Sequence, residues 1–118
     1  MLAKLFSKKQ VGDEAERAAE RYLLKHGLSI VEKNYRTRFG EIDLIMRDGV
    51  VLVFVEVRLR KNDDFGGAAA SIGAHKQRRI VAAAQQYIAA LRNPPPCRFD
   101  AVLMMGTQIE WLKDAFGT

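Results

Sequence analysis

The chain has 118 residues, enough for one domain around one core. Its 19 Lys and Arg against 14 Asp and Glu leave a net charge of +5, and 48% of residues are hydrophobic, which excludes wholesale disorder and suits a polyanionic partner. The longest apolar run, residues 50–55, is far short of the ~20 residues of a membrane helix, and a single cysteine, Cys97, excludes a disulfide framework or a cysteine-built zinc site.

Residues 1–9 carry Lys4, Lys8 and Lys9 without periodicity and read as a basic tail; Lys4 also interrupts any secretory apolar stretch, so the expected location is cytoplasmic. The domain is expected over residues 10–118. From Val11 the apolar positions Ala15, Ala18, Ala19, Tyr22 and His26 recur at helical spacing, and Gly27 stands where a helix ends. A strand follows over residues 28–35. Ile42, Leu44 and Met46 then alternate up to Asp48-Gly49, a hairpin signal, before the long apolar strand of residues 50–59. That strand is apolar on both faces as far as Val55 and belongs near the middle of a sheet. Residues 60–70 form a loop, and Ser71 caps a second helix with a stripe of Ile80, Ala84, Tyr87, Ile88 and Leu91, ended by Asn93 and three prolines. Strands over 98–105 and 108–112 close the chain. The order of helix, three strands, helix and two strands predicts an α/β sandwich around one mixed sheet.

An Asp48-Gly49 turn pairs Arg47 with Val50, Glu41 with Glu56 and Asp43 with Phe54. Glu41, Asp43, Phe54, Glu56, Arg58 and Arg60 then share one face, while Ile42, Leu44, Val53, Val55, Val57 and Leu59 share the other. Asp43 and Glu56 become diagonal neighbours with α carbons about 7–8 Å apart, close enough to bind one small divalent ion. Charges facing across a hairpin usually form weak, solvated ion pairs, the reading for Glu41 and Arg60. Two carboxylates in mid-sheet need a compensating cation, and geometry alone leaves a metal site and a structural ion pair equally open.

Gly40-Glu41-Ile42-Asp43-Leu44-Ile45, followed by Val53-Phe54-Val55-Glu56-Val57-Arg58-Leu59-Arg60, resembles the signature of the YraN-type predicted endonuclease family. Gly12, Glu16, Ala19 and Tyr22-Leu23, then Asn34-Tyr35-Arg36, Phe65-Gly66-Gly67 with Ser71-Ile72 and Lys76, Arg98-Phe99-Asp100 and residues 109–116 extend the likeness over roughly residues 10–118. That family is similar to the restriction-endonuclease-like superfamily, archaeal Holliday-junction resolvases in particular. The resemblance implies a catalytic set of Glu16, Asp43, Glu56 and Arg58. It also implies Mg²⁺ or Mn²⁺ held by Asp43, Glu56 and the Val57 carbonyl, and metal-assisted hydrolysis of DNA phosphodiesters, branched or processed DNA included. Arg58 stands where the family pattern has lysine. A guanidinium cannot serve as a base but can clamp a phosphate. By helical spacing Glu16 flanks the apolar stripe beside Leu23.

Arg36, Arg38, Arg60, Lys61 and Lys76 are the expected nucleic-acid contacts, with Lys76 at the border of the second helix's apolar stripe and Arg78 and Arg79 as outer contacts at best. His75 reads as a surface histidine, Phe65 as a loop anchor and Trp111 as a packing residue. A homodimer is one way for so small a chain to cut two strands. Two rival readings are a non-catalytic nucleic-acid-binding or adaptor module on the same fold, and a structural ion network in a protein-interaction domain.

Overall fold

The computed structural model describes residues 8–60 and 72–117. In chain order the elements are α1 (Lys8–Lys25), β1 (Ser29–Arg36), β2 (Glu41–Asp48), β3 (Val51–Leu59), α2 (Ala74–Ala89), β4 (Cys97–Met105) and β5 (Gln108–Phe116). The expected order holds, with α1 starting before Val11, so that Lys8 and Lys9 are helical. Ser71, the expected cap of α2, lies outside the described residues, and the N-cap position is Gly73, with no side-chain cap.

Ala15, Ala19 and Leu23, four residues apart, are the buried stripe of α1 and pack on Leu44, Met46, Val53 and Val55. Leu23 is fully buried, worth about 1.5–3 kcal/mol. Val11 and His26, expected in the stripe, are exposed. Val11 borders an open cleft beside Leu59 and Met104, while His26 lies past the helix end and stacks on Tyr22 at 4.3 Å. Gly27 closes α1 as read from the sequence. Its φ of 94° lets the Leu28 N–H reach the Leu23 carbonyl at 3.1 Å and its own N–H reach that of Leu24 at 3.1 Å.

The five strands lie in the order β1-β2-β3-β4-β5; only β3 and β4 are parallel, so β3 is central. Both edge strands are irregular. The register of β1 slips between Ile30 and Glu32, and that of β5 slips opposite Asp100, where Asp114 has φ 54°. On the face opposite α1, Ile80, Ala83 and Ala84 of α2 bury Ile42, Ile45, Leu52 and Phe54. Tyr87 meets Tyr35 and Phe54 edge-on.

Two details of the hairpin differ from expectation. The turn is Gly49-Val50, with Asp48 paired to Val51 and Ile45 to Phe54, a slip of two residues that leaves Leu44, Met46, Val53 and Val55 on their expected common face but undoes the expected Asp43–Phe54 and Glu41–Glu56 pairs. Gly49, at φ 62°, occupies the first turn position, and Asp48 is held in the ladder by Arg98 at 2.9 Å. Ile42, expected beside Leu44, packs in the α2 cluster instead. The pleat is broken there, because Asn34, lying between the Lys33–Leu44 and Tyr35–Ile42 pairs, has φ 51°.

Gly40, just before β2, lets α2 approach closely. A Cβ at this position would stand 2.5 Å from the Arg79 carbonyl oxygen and 2.9 Å from its carbon, both backbone atoms that cannot rotate away. Gly40→Ala therefore forces α2 off the sheet and is expected to cost about 1–3 kcal/mol. A lowered melting temperature is the readout; a melt superimposable on wild type would show that this contact is not tight.

Candidate active site

The chemistry gathers where β2 and β3 part. Their ladder runs from Asp48–Val51 to Leu44–Val55; nearer the start of β2, residues Ile42 and Glu41 pair with β1, while Glu56 to Leu59 of β3 pair with β4. The strands fork at Asp43 and Glu56. Asp43 bridges the opening, its Oδ2 accepting the Val57 N–H at 2.8 Å in place of a ladder bond. The hairpin slip also turns the expected diagonal of Asp43 and Glu56 into a meeting across the fork.

Glu56 is 2% exposed. Burial, and then the negative charge of Asp43, push its carboxyl up to about 8, against the pull of Lys76. Lys76 reaches in from the first turn of α2, its Nζ 2.7 Å from Glu56 Oε2. The ammonium meets this buried oxygen off the line of a well-aligned hydrogen bond, and its charge still pulls the Glu56 carboxyl down. Asp43, Glu56, His75, Lys76 and Arg79 line a cleft of ≈ 420 Å³ between α2 and the sheet. Arg79 also ties α2 to the β1–β2 turn, its Nε donating to the Phe39 carbonyl at 3.2 Å.

Glu16 approaches from the other helix. It is half-buried on α1, and desolvation, followed by the charge of Asp43, pushes its carboxyl up to about 7, while a hydrogen bond with Asn34 pulls the other way. Glu16 lines a second cleft of ≈ 380 Å³ with Asn34, Arg36 and Glu41. The start of β2 divides the two clefts, and Glu41 borders both.

The remaining expected residues are dispersed. Arg58 is half-buried on β3, opposite Leu103 in register, and does not line the carboxylate cleft. Arg60 turns toward β5, with Glu110 at 3.9 Å. Arg36 pairs with Glu41 at 3.6 Å, and Arg38 lies 5.0 Å over the Phe39 ring at the β1–β2 turn. Lys61 and Phe65 lie outside the described residues. His75, read as a surface histidine, and Arg79, read as an outer contact at best, both border the site. The signal was available, because Arg79 follows His75 by four residues, as Ile80 follows Lys76.

Among the described residues, no three His, Cys, Asp or Glu side chains form a set that could hold a metal ion. The pair itself suits a hard divalent cation in its donor chemistry: two carboxylates, one carrying a buried oxygen without a well-aligned hydrogen bond.

A mixed five-stranded sheet between two helices, with acidic residues at a fork of its central strands, defines a restriction-endonuclease-like α/β domain. The family model described as "Uncharacterised protein family UPF0102" matches residues 15–104, and the chain belongs to this family. A UPF0102 protein from Nitrosospira multiformis is 57% identical over 108 residues, covering 89% of this chain and 91% of its own. One from Dechloromonas aromatica is 60% identical over 106 residues, with 89% and 87% covered. One from Methylobacillus flagellatus is 51% identical over 111 residues, with 92% and 97% covered. None of the helices among the described residues is long and apolar enough to cross a membrane.

Proposed function

We propose that the chain is a metal-dependent nuclease that hydrolyses DNA phosphodiester bonds. The observation that carries this reading is the meeting of Asp43 and Glu56 at the fork, in a cleft rimmed by His75, Lys76 and Arg79. Two like charges placed together, one of them buried, lower stability, and a fold keeps them where a cation and an anionic substrate are to be handled.

Asp43, Glu56 and the Val57 carbonyl would hold Mg²⁺ or Mn²⁺. When bound, the ion supplies acidification of the attacking water and neutralisation of charge growing on the phosphate. The chain's own residues do the rest. The Val57 N–H fixes the rotamer of Asp43. Glu16, with its carboxyl near 7, can hold or release a proton at neutral pH on the α1 side of the fork. Lys76 and Arg79 bring positive charge to the cleft mouth, and Arg58, with Arg36 and Arg38, supplies phosphate contacts farther along the backbone. Protein of the cytoplasm, acting as a homodimer on two strands, completes the proposal.

The absence of a three-ligand set among the described residues favours a second reading, a nucleic-acid-binding module without turnover on the same fold. A panel of single-stranded, duplex, flap and four-way-junction DNAs, incubated with Mg²⁺ or Mn²⁺, separates the two. Cleavage by wild type should fall by on the order of 10²–10³ in Asp43→Ala and in Glu56→Ala. DNA binding with no cleavage by any protein would replace the nuclease with the binding module.

A further inference from the structure

Lys76 and Glu56 form an asymmetric pair. The carboxylate is 2% exposed and fixed on the central strand, whereas the lysine side chain is 49% exposed and reaches in from the open side of the cleft. Glu56 cannot leave, but Lys76 can. A half-exposed ion pair stabilises little, and holding four methylenes in one geometry costs side-chain entropy. Glu56 Oε2 is nevertheless the oxygen that needs a cation, being buried, poorly aligned with its one ammonium partner among the described residues, and beside the charge of Asp43. Arg58, the cationic residue nearest Glu56 along β3, does not line the cleft, so the positive charge beside Glu56 comes from the helix and not from the strand.

We propose that Lys76 is an exchangeable cation of this centre: its ammonium occupies the place on Glu56 Oε2 that a divalent ion takes, and the ion binds by displacing it. This deepens the metal reading of Asp43 and Glu56 and rests on it. The displaced ammonium stays tethered at the cleft mouth beside His75 and Arg79, with three N–H donors free for an anionic phosphate oxygen next to the ion. The lysine part of the centre thus moves from Arg58 on β3 to Lys76 on α2.

The test is nuclear magnetic resonance of the full chain at pH 8.5, where Glu56 is ionised, during titration with Mg²⁺ alone. The Lys76 ε-methylene signal is identified by its loss in Lys76→Gln, at a half-exposed position. The Val57 amide, hydrogen-bonded to Asp43, reports ion binding independently. Both signals should move with one midpoint, Lys76 ending at the shift of an unpaired surface lysine. In Glu56→Gln, Lys76 should start at that shift and stay there. If the Val57 amide titrates while Lys76 keeps its original shift, or the two have separate midpoints, the exchange is overturned and the metal site stands. If neither moves at millimolar Mg²⁺, the metal reading falls and the exchange falls with it.

Discussion

Glu56→Gln is expected to be more stable than wild type at pH 8.5 and nearly equal to it at pH 4.5. Glu56 titrates near 4.5 when free of its surroundings and near 8 in the fold, because burial and Asp43 disfavour the charged form. Between those values the folded state keeps a proton that the unfolded chain has lost. Stability therefore falls as pH rises through this window, and the full cost of Glu56 is present above about 8. Glutamine is neutral throughout and escapes that cost, at the loss of a half-exposed ion pair with Lys76. The gain at pH 8.5 should be on the order of 3 kcal/mol. Urea midpoints of both proteins at the two pH values decide it. A gap that does not depend on pH would mean that Glu56 is not held neutral by its surroundings. The same substitution should abolish cleavage, so stability and activity move in opposite directions at this position.

Asp100→Ala is expected to lose about 3–5 kcal/mol, the largest single stability loss foreseen in the chain. Asp100 is fully buried on β4. Its carboxylate accepts Arg98 Nε at 3.0 Å, Trp111 Nε1 at 2.9 Å and the Asp114 N–H at 2.9 Å. Arg98 continues to Asp48 at 2.9 Å, so one carboxylate organises the β2–β3 hairpin end, β4 and the slipped register of β5. Alanine leaves an indole N–H and a backbone N–H without their acceptor and leaves the part-buried Arg98 guanidinium with Asp48 alone. Asp100→Asn retains one oxygen and should lose about half as much. Chemical denaturation checks both, and an alanine variant within 1 kcal/mol of wild type would show that the network carries no net stability. Asp100 lies away from the carboxylate cleft, so DNA cleavage by the folded fraction should persist.

The strands and most of their faces were readable because the alternation of Leu44 and Met46 and the unbroken run after Val50 are local signals that burial obeys, whereas Ile42 packs on the other face. The end of α1 was readable for the same reason, since Gly27 takes a backbone conformation that few other residues tolerate. The hairpin register was not. Asp48-Gly49 has the composition of a turn, but Arg98, fifty positions downstream, holds Asp48 in the ladder, and no local rule reports a partner so distant. Asp43 and Glu56 could be placed on one face, yet their meeting at a fork depends on β2 leaving β3, which stays paired with β4 from Leu52 to Leu59. Lys76 was legible as a border residue of α2 because it precedes buried Ile80 by four positions. Its contact with Glu56 was not, because it depends on how close Gly40 lets that helix come.

The irregular outer strands have a consequence for the protein at high concentration. A sheet grows by adding a strand to an unpaired, flat edge, and both edges here are spoiled as templates. On one side the slip at Val31 and the left-handed Asn34 interrupt β1; on the other, the slip around the left-handed Asp114 interrupts β5. Neither edge offers an incoming strand a long, evenly spaced row of N–H and C=O groups. Among the described residues, the sheet is therefore a poor seed for strand-by-strand growth between copies of this chain.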